Sequence, residues 1–202
     1  MEGLTIQTSR LVGIICALVL ILGVLPSIGG FFMLIGIVCV LIALKGYADF
    51  YKDGNIFHNA IYAIIFEIIG VVVSIGILLY IAMSFLTSLG INNLVDLSSW
   101  QNIDWQHAVD ISTLTSYLIP IILALVVLFA FTIFASLYFR KSMSTLSEKT
   151  GVKLFHTTGT VFLIGALLTI ILFGLLIIWV SFILLLISFY VSKPLEQSPQ
   201  PQ

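Results

Sequence analysis

Residues 57–70 read FHNAIYAIIFEIIG, and the apolar character runs on to about Leu86. A helix that crosses the hydrocarbon core of a bilayer needs about 20 predominantly apolar residues. The run meets that length, and a single acid, Glu67, lies inside it. The fold class follows from the length, and the first functional question from the acid.

The rest of the chain agrees with lipid as the solvent. Of 202 residues, 60% are hydrophobic and 8% charged. A soluble domain carries about 25% charged residues, so this composition does not cover a water-facing surface. The net charge of −1 leaves no electrostatic footprint for nucleic acid. Cys16 and Cys39 fall inside apolar runs and make no secreted disulfide framework. Arg10 followed by LVGIICALVLILGVL has the look of a signal peptide, yet no small-x-small site follows. It is expected to remain as a first membrane helix.

Apolar runs cover about 11–25, 31–44, 60–88, 114–139 and 158–191. PSIGG, residues 26–30, divides the first two with a proline and two glycines, strong turn punctuation, and predicts a helical hairpin. As one helix the last run would extend about 50 Å against a hydrocarbon core of about 30 Å. It is expected to split near Gly174 into 158–173 and 175–191; a single tilted helix is the alternative. The prediction is an all-α, polytopic transmembrane helical bundle, one domain over 1–191. Its six spans run hairpin, single, single, hairpin.

Charge placement favours six spans. Arg10, Lys45, Lys52, Arg140, Lys141, Lys149, Lys153 and Lys193 then share one side with both termini. The positive-inside rule makes that side cytoplasmic in a cell membrane. Five spans would strand Lys193 outside. The outer segment 90–113 carries Asp96, Asp104 and Asp110 with Trp100 and Trp105. Tryptophans favour the headgroup level, so a short surface element is expected there, with a binding lid as the alternative. The Pro/Gln-rich tail 192–202 is expected to be disordered.

A weak internal repeat is visible. KDGNIFH (52–58) compares with EKTGVKLFH (148–156), each with a glycine, Gly54 or Gly151, suited to a left-handed helix end. IIGVVVS (68–74) compares with LIGALLT (163–169) after a gap of three residues, nearly one helical turn. Two similarly oriented halves would follow, one known transporter arrangement; chance similarity of apolar sequences is the alternative. The segments ALKGYADFYKDGNIFHNAIYAIIFEIIG and LSEKTGVKLFHTTGTVFLIGALLTIIL resemble the domain-of-unknown-function 996 family of archaeal and bacterial membrane proteins. The likeness covers nearly the whole chain and is strongest at 43–76 and 146–191. The outer segment looks longer than that family's usual connection. The resemblance implies a small, prokaryotic, multi-pass membrane protein and carries over no functional residue.

On a helix, residues three and four apart share a face. Reading from Glu67, that face holds Ala60, Ala63, Gly70 and Ser74, all small. Small residues let membrane helices approach closely, so Glu67 is expected to face another helix. With His58 near the inner interface, nine residues put Glu67 about 13 Å deep. Insertion scales place about 2.5–3.5 kcal/mol on a central charged residue such as Asp and about −0.3 to −0.6 on each Leu, Ile, Val or Phe. The surrounding apolar residues therefore carry the span in. Two roles stand side by side. Protonated Glu67 donates a hydrogen bond that fixes helix packing, or it binds or relays a proton or cation, the default for an ionisable group inside a bilayer.

Similar stripes occur at Gly36, Cys39, Ala43 and Gly46, at Gly13, Cys16, Leu20 and Gly23, and at Gly174, Ser181 and Ser188. They read as tight packing. The cysteines lie at similar distances from the PSIGG turn and can meet across the hairpin; they read as small buried residues, with a metal or redox pair as the alternative. His58 and His156 both follow Phe at inner interfaces. They read as interfacial anchors, with a shared metal or lipid-phosphate site as the alternative, although two ligands fall short of a zinc site. The linker cations can attract anionic headgroups. HExxH, G-x-S-x-G, P-loop and dinucleotide signatures are absent from the sequence. No enzyme activity, cofactor or metal is expected. The leading expectation is a structural, scaffolding or accessory membrane component, with the lipid bilayer and a homo-oligomer or partner subunit as its partners. The alternative is a small proton- or solute-translocating protein that uses Glu67.

Overall fold

The computed structural model describes residues 6–25, 27–89, 91, 111–171 and 173–192. Among the described residues there are six α-helices and no strand. They are α1 (Ile6–Leu22), α2 (Gly29–Tyr51), α3 (Asn55–Ser88), α4 (Ile111–Thr150), α5 (Lys153–Leu168) and α6 (Phe173–Val191), with a 3-10 turn, Thr169–Ile171, between the last two. Helices α2, α3, α4, α5 with its 3-10 turn, and α6 are long and apolar enough to cross a membrane. Helix α1 has 17 residues, about 26 Å, at the lower limit for a span. The tryptophan-bearing part of segment 90–113 and the tail from Lys193 lie outside the described residues.

The helices outrun the apolar runs because polar residues continue a helix until a backbone stop appears. Helix α2 stops at Lys52, which takes the left-handed conformation (φ 52°) and returns its N–H to Ala48 O. Helix α4 continues through the charged stretch to Thr150 and stops at Gly151 (φ 71°). The expectation for Gly151 is met. For Gly54 it is corrected, because Lys52 takes the left-handed position two residues earlier.

Contacts divide the chain into two units: Met1–Phe66 with Ile133–Gln202, and Glu67–Thr132. The core of the first unit gathers Cys16 and Leu20 of α1, Leu44 and Tyr47 of α2, Phe155 of α5 and Phe189 of α6. Helices α1 and α2 form the expected hairpin. Gly29 donates its N–H to Leu25 O (2.8 Å) in the turn. Cys16 and Cys39 are joined as a disulfide across this hairpin, with Cα atoms 5.3 Å apart. This corrects the reading of the two as unlinked small packing residues. Similar distances from the turn bring the two level across the hairpin, where they bond.

The run 158–191 divides at Thr169–Ile171, ahead of Gly174. Gly174 itself, in the first turn of α6, is a contact point. A side chain there would run into Gly165 O and Thr169 N, so α6 can start close against α5 only without a Cβ. Helix α1 packs against α6, with Gly13 under the Phe189 ring and Trp179 Nε1 donating to Ile21 O (3.3 Å). Arg10 donates from Nε to Phe189 O (3.2 Å) and from its terminal nitrogen to Tyr190 O. The start of α1 therefore lies beside the end of α6. A cation there also meets the partial negative charge of a helix C-terminus.

In the second unit the two helix segments pair antiparallel. Gly70 meets Phe131, Ser74 Oγ donates to Ala124 O (3.0 Å), and Phe85 packs edge-on against Tyr117 (5.4 Å). The outward residues are apolar and open, Val72 at 62% and Ile119 at 70% exposure. Such surface would be costly in water and is ordinary in lipid.

Candidate functional site

The stripe predicted on α3 is observed. Ala60, Ala63, Gly70 and Ser74 are buried, Glu67 is half-buried, and Ile65, Ile68 and Ile69 are exposed. Glu67 faces α4, where Thr132 Oγ1 donates to its Oε1 at 3.3 Å. One turn further along α3, Gly70 lies so close to Phe131 that an added Cβ would stand 2.5 Å from Phe131 Cβ. Close approach at Gly70 lets the short threonine reach the acid. Among the described residues, Glu67 has no hydrogen-bond partner besides Thr132 and no cation pairs with it. The acid thus has one oxygen committed to helix packing and one free.

The histidines are placed separately from this acid. His58 is exposed, and its Nδ1 shares a hydrogen bond with Gly54 O one turn back (2.8 Å). His156 is exposed, and its carbonyl accepts from Thr160 Oγ1 (3.0 Å). Among the described residues, no hydrogen bond, ion pair or ring contact joins the two, and no cluster of three or more His, Cys, Asp or Glu side chains forms. The repeat shows in local geometry, since each Phe-His pair occupies the third and fourth positions of its helix.

Lys149, in the last turn of α4, pairs with Asp53 of the α2–α3 linker, 3.2 Å apart. Asp53 also accepts the Asn55 N–H (3.1 Å). That N–H, and then Lys149, hold its carboxyl below the usual carboxylate range. Ser142 Oγ of α4 donates to Ile56 O (2.6 Å) at the start of α3. The partnerships of Thr132, of Asp53 with Lys149 and of Arg10 join residues far apart in the chain and carry no periodic signal in the sequence. Thr132 leaves a signal in retrospect: it and Ser136 are the hydroxyls of the otherwise apolar stretch 118–137.

A family model described as "Protein of unknown function (DUF996)" matches residues 32–183. Uncharacterized protein MJ1644 of Methanocaldococcus jannaschii is 24% identical over 164 residues, covering 81% of each chain. No solved structure matches.

Proposed function

The chain belongs to the Protein of unknown function (DUF996) family, and from that premise we propose that it is a non-enzymatic integral membrane component of the cell membrane. Its role is to pack or scaffold, alone as an oligomer or with a partner subunit. The observation that carries this reading is the Glu67–Thr132 bond at a small-residue crossing. An intramembrane acid engaged in this way fixes how two helices meet. The contact of Arg10 with the end of α6 supports both termini lying on one side, and the Lys/Arg bias supports the cytoplasm as that side.

One observation favours a second reading. The free oxygen of half-exposed Glu67 leaves the acid able to take up and release a proton. In that reading the chain translocates protons or small solutes along a path past Glu67. Purified protein in liposomes, tested against a panel of ions and a proton gradient, separates the two. The packing role expects no flux, and copurification of a stable partner from native membranes. Flux that Glu67→Gln abolishes would replace it with the second reading.

A further inference from the structure

Three cations of the first unit lie over aromatic rings: Arg10 over Tyr190, Lys45 over Phe57 and Lys141 over Tyr138. Arg10 also has backbone carbonyls to donate to. Lys141 differs in its surroundings. Its Nζ stands 5.2 Å from the Tyr138 ring centre, and the Tyr62 ring of α3 lies 5.6 Å from that of Tyr138. Among the described residues, neither phenol makes a hydrogen bond and no acid pairs with Lys141. One cation and two phenol-bearing rings are therefore gathered, with no acceptor for them among the described residues.

Beneath them the flank is apolar and aromatic. Phe66 stacks on Tyr138 (5.3 Å) and lies 5.9 Å from Phe134. Tyr62 is 49% and Phe134 51% exposed. Phe134 lies seven residues, about 10 Å, below Lys141 along α4, a large part of one leaflet's hydrocarbon. We propose that this flank binds one anionic phospholipid. Its phosphate meets Lys141, Tyr138 and Tyr62, and an acyl chain lies along Phe66 and Phe134. A charged head at the donors and an apolar tail on the rings match both ends of such a lipid. Among the described residues no carboxylate pairs with Lys141 to receive the ammonium of a zwitterionic headgroup, which favours net negative lipids.

The inference rests on the bilayer placement proposed above. Retention of the protein in carbonate-washed membranes checks that placement by itself. The site is tested by thermal unfolding of full-length protein in neutral detergent, titrated with phosphatidylglycerol, phosphatidylcholine or inorganic phosphate. Phosphatidylglycerol is expected to raise the melting temperature more than phosphatidylcholine, and inorganic phosphate to leave it unchanged. Lys141→Gln should weaken the apparent affinity for phosphatidylglycerol about five-fold, the effect of one cation at a membrane surface. Tyr62→Phe with Tyr138→Phe should weaken it with the rings retained, and Lys141→Arg should restore binding. Equal responses to the two lipids, an unchanged affinity in Lys141→Gln, or an equal response to inorganic phosphate would each overturn the proposal. If Lys141→Gln melts below the wild type before lipid is added, the Tyr62/Tyr138 variant decides instead.

Discussion

Thr132 donates a hydrogen bond to Glu67 across the antiparallel pairing of α3 and α4, 3.3 Å from oxygen to oxygen. The bond lies beside the Gly70–Phe131 contact. An acid, a hydroxyl and a missing side chain thus cooperate at one crossing.

If packing is the role of Glu67, the acid's charge is dispensable and its acceptor oxygen is not. Glu67→Gln keeps a carbonyl acceptor for Thr132 and should leave stability nearly unchanged. Glu67→Ala and Thr132→Val each remove the bond. A double-mutant cycle between them, read by unfolding in detergent, should give a coupling of about 0.6 kcal/mol, the average for hydrogen bonds between membrane helices. A coupling of zero would show that the bond does not hold the crossing.

Two glycines on one kind of helix should respond in opposite directions. Gly174→Ala places a methyl against Gly165 O and Thr169 N and should cost about 1–3 kcal/mol through overpacking. At Gly76, in the middle of α3, an added Cβ meets nothing within 4 Å. Gly76→Ala should stabilise by about 0.5–1 kcal/mol, since glycine is the poorer helix former. Melting temperatures of the two variants in the same detergent check the pair. A tolerated Gly174→Ala would mean that α6 does not start against α5 as described.

Much of this architecture was legible in residue order, for physical reasons that also mark where it stopped. The α3 stripe could be read because side-chain direction repeats with the helix, so Ala60, Ala63, Glu67, Gly70 and Ser74 fall on one face whatever they touch. The partner of that face could not. Periodicity orients a helix about its own axis and says nothing of its register against a neighbour, which is why Thr132 and the Tyr62–Tyr138 pair were missed. Hydropathy located the spans but not the helix ends, because a helix continues past the lipid-like residues until a stop such as Lys52 or Gly151. The division near Gly174 is legible because glycine punctuates a long apolar run, but sequence does not show that the same glycine also seats α6 against α5.

Arg10 connects the two ends of the described chain. Its bonds to Phe189 O and Tyr190 O are charge-assisted and partly open to solvent. Arg10→Ala should lower stability by no more than about 1.5–3 kcal/mol, the range for a hydrogen bond to a charged group. Arg10→Lys should recover part of the loss, since lysine keeps the charge but not the fork of donors. Side-specific labelling of tags placed before Ile6 and after Ser192 should report the same face of the membrane. Opposite faces would break the adjacency that Arg10 implies.

Asp53 gives the fold a pH dependence of known sign. Its carboxyl is held low in the folded chain by the Asn55 N–H and Lys149. A depressed folded value stabilises the protein above the unfolded carboxyl's value, about 3.9, and the contribution is lost as pH falls through the folded value. The Lys149 side chain is 42% exposed, so the ion pair contributes at most about 1 kcal/mol and less in high salt. Asp53→Asn keeps an oxygen for the Asn55 N–H and removes only the charge. The wild type should melt slightly above this variant at pH 7, and the two should converge below pH 4. A gap that stays constant from pH 7 to pH 3 would assign the effect to something other than the charge on Asp53.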